Sequence, residues 1–454
     1  MESDRARSEE GPSRCSASHA LNPDYFLLSH RQRPRVLAVL PGLIPSTIIG
    51  VISPLSHLHQ RGLISAEFTL EAFLTARALR RVDLVVFCRN MEPRYASALD
   101  ETVSNGTPII YDIDDNLLAL QPDPRSAGAS GHLAGQSLLR RYLQEADLVR
   151  VYSPVMENMV RGLTPRVERV IPPVDLQLVH PRRRRTKRTR IVYATSRFRG
   201  DKLAGIVVPA LASILDEYSD RIEVHFWGYT PEELRRRRNV YSHKFIWDYE
   251  KYMREFSLAG YDIGLAPGLN DVFHLSKTNN KLREYGACRV AGIYSNTELY
   301  SACVVHGKSG LLVENTSESW KAAIALLVHD ASLREVIQEE AYKYVVEVHS
   351  VRQFEQQWLS QIGRVLRDRK FRRCSAPTPL EHASNDYVRA AGGRRSDLWS
   401  FWRCLRLVRG LLAKGPVWAL RSAAWFVRSL VLLSRMRRTA ARASQGLSGT
   451  REGR

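Results

Sequence analysis

The chain has 454 residues, 44% hydrophobic and 25% charged, ordinary globular values at a length that suits two to three domains. Its net charge is +20, but residues 182–190 (RRRRTKRTR) and 391–454 contribute +7 and +12 of it. The basicity therefore belongs to a linker and a tail, which argues against a nucleic-acid-binding globular face, and the composition excludes collagen, coiled coil and a wholly disordered chain.

Residues 1–33, rich in Ser, Arg and Glu, read as a flexible leader without the apolar core of a signal peptide. The first strand is RVLAVLP (35–41), a continuous apolar run of buried parallel type. A helix-like stretch follows over 54–62, with Gly62 as its C-cap. Further apolar runs recur at 82–88 (VDLVVFC), 107–113 (TPIIYDI), 147–152 (DLVRVY) and 167–173 (VERVIPP), with helical periodicity over 69–81 and 135–146 between them. The basic run 182–190 interrupts as a solvated linker. The alternation then restarts with strands at 190–196, 222–228, 261–267, 289–295 and 310–313, and helices over 202–218, 248–258 and 277–287. Three helices near 315–329, 330–348 and 350–368 close this half, and Trp358 on the last is expected to pack back across both halves. Strands alternating with helices predict an α/β protein of two tandem Rossmann-like doubly wound domains, 34–181 and 191–373, with ligand sites at the carboxyl ends of the strands.

Six cysteines (Cys15, Cys88, Cys288, Cys303, Cys374 and Cys404) show no C-x-x-C spacing, so neither a zinc site nor a disulfide framework is indicated and a reducing compartment fits. No run reaches 18 uncharged apolar residues, so no spanning helix is expected.

Three motifs carry candidate chemistry. Thr195-Ser196-Arg197-Phe198-Arg199-Gly200-Asp201-Lys202 joins a strand to a helix. The fork of Arg197 and the point charge of Lys202 beside a helix start can hold a diphosphate; otherwise both are solvated surface residues. In the second, Ser276 to Cys288, Lys277, Lys281 and Glu284 fall on one helix face. Two ammonium groups near a helix start oppose its dipole, a conflict that a bound anion would remove. Glu284 could accept hydrogen bonds from a diol, and the plain alternative is a Lys281–Glu284 surface pair. The third, Tyr111-Asp112-Ile113-Asp114-Asp115-Asn116, ends an apolar strand with three acids, which are costly as packing residues. A helix N-cap by Asp114 or Asp115 is its bland reading.

The second half resembles the donor domain of GT-B glycosyltransferases of the family 4 type. The family's G-R-x4-K-G loop is matched by Ser196-Arg197 to Lys202-Leu203 without the flanking glycines, and its E-A-(small)-A-C-G stretch by Glu284-Tyr285-Gly286-Ala287-Cys288. Its G-x-x-G-L-L-V hairpin is similar to Gly307-Lys308-Ser309-Gly310-Leu311-Leu312-Val313. The resemblance implies that Arg197 and Lys202 grip the diphosphate of a nucleotide-sugar, that Glu284 holds the ribose, and that transfer is metal-independent, without a resident cofactor, and retaining. The family's E-x7-E spacing is broken, because Ser276 stands eight positions before Glu284. Lys277, or Asn270, Asp271 and His274 in the preceding loop, would then meet the sugar, although Asn-Asp is also common turn chemistry. Asp112, Asp114 and Asp115 would line the cleft, orienting the acceptor hydroxyl or assisting proton transfer. Two other readings of those acids stay open: a metal-binding D-x-D as in GT-A transferases, and a haloacid-dehalogenase-like, magnesium-dependent phosphatase with Asp112 as nucleophile and Asp114 as acid/base. A non-catalytic basic binding protein is the third alternative to a transferase. Arg89 and Asn90 end another strand, and 41–46 is a modest acceptor-site candidate.

Beyond a polar linker at 374–397, residues 398–438 read as a basic amphipathic helical tail, followed by a disordered end at 439–454. Arg421, Arg428 and Arg435 recur every seven residues as one stripe, with Trp418, Trp425 and Phe426 on the apolar remainder. That pattern fits a helix lying in a membrane interface. The expected partners are a nucleotide-sugar donor, a glycan or lipid-linked acceptor and peripheral contact with the cytoplasmic face of a membrane, with no specific nucleic acid. Deleting residues 392–454 is expected to abolish co-sedimentation with anionic vesicles; unchanged pelleting would refute the assignment.

Overall fold

Apolar runs alternating with helical periodicity fold into two parallel sheets. The structure is a computed structural model that describes residues 33–120, 129–180, 188–195, 202–246 and 248–368, the side chains of 129–131 and 202–204 excepted.

The first lobe begins with β1 (Arg35–Leu40). Helix α1 follows as three joined pieces, Pro45–Thr47, a π-helical turn Ile48–Ile52, and Ser53–Gln60. Then come β2 (Ser65–Leu70), β3 (Leu84–Cys88), α2 (Ser97–Ser104), β4 (Ile109–Asp112), α3 (Ala129–Glu145), β5 (Leu148–Val151), α4 (Pro154–Arg161) and β6 (Val167–Arg169). Its six strands lie in the order β2-β1-β3-β4-β5-β6, every pair parallel.

The second lobe contains β7 (Thr189–Thr195), α5 (Lys202–Glu217), β8 (Ile222–Gly228), β9 (Val240–His243), α6 (Tyr249–Ala259), β10 (Ile263–Ala266), α7 (Val272–Leu275), α8 (Asn280–Ala287), β11 (Ala291–Ser295) and β12 (Leu311–Val313). Three helices follow, α9 (Ser317–His329), α10 (Ala331–Val348) and α11 (Val351–Arg367). The second sheet is also six-stranded and parallel, in the order β12-β11-β10-β7-β8-β9. Side chains from both faces of each sheet are buried, as the near-continuous apolar strands require.

Three expectations need correction. The helix expected over 69–81 is absent: Thr69 and Leu70 end β2, which pairs with β1 from Arg35↔Ser65 to Leu40↔Leu70, and only Ala76–Leu79 turns as α-helix. β9 was not anticipated. Both missed strands are edge strands with partly exposed residues, so neither makes a continuous apolar run. Finally, the basic run is not solvated to its end. Thr189 and Arg190 belong to β7, and the Arg190 guanidinium is buried against His225 Nε2 (3.1 Å), the Tyr261 ring and the Ala259 carbonyl. Residues 181–187 and the helical tail lie outside the described residues.

The last helix returns to the first lobe, as the sequence suggests. Trp358 of α11 donates from Nε1 to the Gly50 carbonyl in the π-helical turn of α1, at 2.9 Å. Within that turn Ser53 N–H reaches Ile48 O, five residues back. A Cβ at Gly50 would stand 2.8 Å from the Tyr152 hydroxyl, so a side chain there would have to displace that tyrosine. Farther along the same pair, Glu355 receives both His57 Nδ1 (2.8 Å) and Arg61 Nη1 (3.0 Å), while Gln361 donates to Glu168 at 2.9 Å.

Beneath Trp358 lies Arg150 of β5, 0% exposed, with its guanidinium carbon 3.3 Å from the indole centroid. Its Nη atoms have no hydrogen-bond partner among the described residues. The Asp112 carboxylate, 3.3 Å from Nε, and the indole π-face supply the compensation that a buried cation requires. Trp358→Ala removes this π-face, a hydrogen bond and a fully buried ring together. It should lower stability by about 3–5 kcal/mol in urea unfolding, with Trp358→Phe recovering the part due to the ring.

Candidate functional site

The carboxyl edges of the two sheets meet at one junction. On the first-lobe side, residues 113–116 follow β4. Asp114 and Asp115 both accept from Arg89 Nη1, the latter at 3.0 Å. Arg89 follows β3 with a left-handed φ of 57°, a conformation that a non-glycine residue holds only where its surroundings enforce it. Burial works against its charge, yet Asp114 and Asp115 outweigh that and keep the guanidinium protonated.

On the other side, Lys277 reaches across the junction to Asp115 Oδ1 at 3.2 Å and stands 4.3 Å above the Phe273 ring. Burial tends to raise the Asp115 carboxyl, but Lys277 and then Arg89 overcome it and hold it below the usual range. Two further hydrogen bonds close the junction: Asn116 Nδ2 donates to Ser276 Oγ (3.2 Å), and Ser153 Oγ donates to the Ser276 carbonyl (2.9 Å). Ser276, eight positions before Glu284, is 0% exposed.

Helix α8 starts at Asn280, so Lys277 lies in the preceding turn and does not share a helix face with Lys281 and Glu284. The expected conflict with the helix dipole is met within the chain, since Lys277 is paired with Asp115 and Lys281 with Glu284 Oε2 at 2.7 Å. Glu284 is 6% exposed, and its Oε2 also accepts from Tyr252 Oη at 3.2 Å. The neighbouring residues set its place. Tyr285 anchors the helix on β10 through Oη to Leu265 O (2.9 Å). Gly286 lets α10 approach closely, for a Cβ there would lie 2.6 Å from Val345 Cγ2.

The loop after β10 is pinned by Gly268 N–H to Ser295 Oγ (2.8 Å) and by Asn315 Nδ2 to Gly268 O (2.7 Å). Within it Asp271 caps α7 by accepting from His274 N–H (2.9 Å) and binds the same ring at Nδ1 (2.7 Å). Asp271 and His274 thus carry out turn chemistry, and Asn270 is exposed beside them. Arg197 lies outside the described residues. Lys202 opens α5, with its side chain outside the description.

Asp112 does not join this cluster. Only 1% exposed, its Oδ2 accepts from Tyr152 Oη at 2.8 Å, and it faces Arg150. Burial pushes it up to about 7 against the opposing effects of Arg150 and Tyr152. A nucleophile must meet its substrate, so the dehalogenase-like reading loses its attacking group. The D-x-D reading loses its geometry as well, because Asp112 turns to Arg150 while Asp114 turns to Arg89. Among the described residues no three His, Cys, Asp or Glu side chains are grouped to hold a metal.

Sequence reasoning missed Arg150 and Glu71. A cation in the middle of the apolar run DLVRVY was the available signal for Arg150. Glu71 follows β2, which was itself missed. It accepts from Asn90 Nδ2 at 2.7 Å and lines a hollow of about 280 Å³ with Arg89, Met91 and Glu92.

No family model matches the chain, and no curated protein does. Solved structures do match. HepE of Anabaena, in complex with UDP and glucose, superposes with a TM-score of 0.54 at 13% identity over 73% of this chain and 100% of HepE. A glycosyltransferase from Rickettsia africae gives 0.55 at 14% identity over 75% and 100% of the two chains. The sucrose-phosphate synthase of Thermosynechococcus elongatus gives 0.54 at 13% identity over 74% and 99%.

The chain has the GT-B fold. In GT-B terms, the junction of Arg89, Asp114, Asp115 and Lys277 lies where the carboxyl edges of the two Rossmann-like sheets face each other. No helix of the described residues is long and apolar enough to cross a membrane.

Burial pushes Glu71 up to about 7 in spite of its hydrogen bond from Asn90. A carboxyl raised on folding contributes most below its unfolded value near 4.5, and that contribution is lost as pH rises through about 7. Urea unfolding should therefore show wild type losing roughly 1–3 kcal/mol relative to Glu71→Gln between pH 4 and pH 8. A constant difference would contradict the burial assigned to this carboxyl.

Proposed function

We propose that the protein is a glycosyltransferase that moves a glycosyl group from a nucleotide-sugar to a glycan or lipid-linked acceptor. The observation that carries this reading is the ion pair of Lys277 with Asp115 at 3.2 Å, which brings a cation of the second lobe onto the acidic loop of the first. Support comes from a GT-B neighbour crystallised with UDP and glucose, and from the buried Glu284 carboxylate, which among the described residues accepts its side-chain hydrogen bonds at Oε2. In this reading Oε1 of Glu284 takes the ribose hydroxyls.

Arg197 and Lys202, at the loop between β7 and α5, stabilise charge developing on the departing nucleoside diphosphate, the electrostatic task that dominates many transfer reactions. A diphosphate drawn to Lys277 competes with Asp115 for the ammonium group. Loss of that pair leaves Asp115 Oδ1 to orient the acceptor hydroxyl, while Oδ2 stays on Arg89 beside Asp114. Ser276 is enclosed by Asn116 and Ser153, so Lys277 replaces the family's first glutamate toward the transferred sugar. Asp112 serves as a positioning residue that holds the end of β4 against Arg150. The chemistry needs no resident cofactor or metal and retains the anomeric configuration. The tail at 398–438 brings the enzyme to the cytoplasmic face of a membrane.

A panel of nucleotide-sugars scored for thermal stabilisation and nucleoside diphosphate release tests this assignment. At least one donor should stabilise the protein and yield nucleoside diphosphate. Arg197→Ala and Glu284→Ala should each slow release by about 10²-fold. Release of inorganic phosphate from a simple phosphomonoester, abolished by Asp112→Asn, would overturn it.

A further inference from the structure

A hollow of about 280 Å³ opens at the carboxyl ends of β1, β2 and β3. Pro41, Glu71, Arg89, Met91, Glu92 and Gly135 are among the residues that form its walls. We infer that it receives the acceptor, and that this acceptor presents a single neutral, hydroxyl-rich ring rather than a phosphorylated or acidic group. The acceptor role rests on the transferase reading above.

The charges of the walls decide against an anion. Arg89 is already engaged by Asp114 and Asp115. Those two carboxylates already balance its charge, so a phosphate seated there would meet no net positive charge and would stand in front of Glu71 and Glu92. Arg94 faces Glu92 at 2.8 Å, so it too has an acidic partner.

Hydroxyl groups suit the same walls. A carboxylate accepts from neighbouring hydroxyls of a diol, and Glu71, held on one oxygen by Asn90 Nδ2, presents its other oxygen to a ligand. With its carboxyl raised to about 7, Glu71 can donate as well as accept near neutral pH. Pro41 and Met91 supply apolar surface for the C–H face of a ring. The volume falls just below the usual range for small-molecule sites, about 300–1,000 Å³, and so suits one monosaccharide better than a chain. Arg89 is shared between this hollow and the junction with Lys277, so a ring seated here adjoins the loop that would orient its hydroxyl.

The test uses the full-length protein and saturation-transfer NMR with methyl glycosides of glucose, galactose and N-acetylglucosamine, set against glucose 6-phosphate and methyl glucuronide. At least one neutral glycoside should give transfer signals fivefold or more above either anion. Those signals should fall at least fivefold in Gly135→Val, which adds bulk to a wall of the hollow against Met91, and in Glu71→Gln, which keeps the side-chain volume if the first variant folds poorly. Signals that favour the anions, that persist in Glu71→Gln, or that are missing for every neutral probe overturn the inference. Donor stabilisation is read independently. If a nucleotide-sugar binds and the glycosides do not, the inference falls alone. If glycosides bind in a Glu71-dependent way and no nucleotide-sugar does, the transferase reading falls and the hollow stands.

Discussion

The structure turns on a charge that has to be shared. Asp115 stands between Arg89 of its own lobe and Lys277 of the other, at 3.0 and 3.2 Å. In this partly buried place, two cations offset the desolvation of the carboxylate better than one would. The arrangement therefore draws the two carboxyl edges together, and the uncharged bonds of Ser276 with Asn116 and Ser153 fix the register of the contact.

A second constraint holds the first lobe from behind. Arg150, enclosed in β5, is balanced by Asp112 on one side and by the indole of Trp358 on another. The last helix thus does more than cover an apolar surface. It completes the environment of a buried cation, and it binds α1 through the Gly50 carbonyl. Asp112 lies two residues before Asp114, so whatever fixes Asp112 also fixes the direction in which the acidic loop leaves the sheet. The three acids, alike in the sequence, divide their tasks: Asp112 anchors the end of β4 on Arg150, Asp114 and Asp115 hold Arg89, and Asp115 also crosses between the lobes.

The site was legible in parts, for identifiable reasons. Glu284 and Lys281 stand out because helical spacing is local, and their pairing follows from three-residue separation on one face. Lys277 looked like their companion because periodicity does not mark where a helix begins; α8 starts at Asn280 and leaves Lys277 free to turn to the other lobe. Asn270, Asp271 and His274 suggested a sugar contact, yet a short side chain before a turn of helix finds its nearest donors in the backbone, which is where Asp271 bonds. Glu71 carried no signal at all, since the edge strand before it lacks a continuous apolar run and its surroundings come from β3 and α3.

By itself, the sequence determined the α/β alternation, two parallel sheets and the helix that returns through Trp358, because burial on both faces of a strand imposes an apolar run that is visible residue by residue. It determined as well that acids and lysines collect at strand ends. Tertiary structure alone decided which acid meets which base. That choice depends on distances between groups more than a hundred positions apart in the chain, such as Asp115 and Lys277. Electrostatic energy falls with separation in space and takes no account of separation along the backbone.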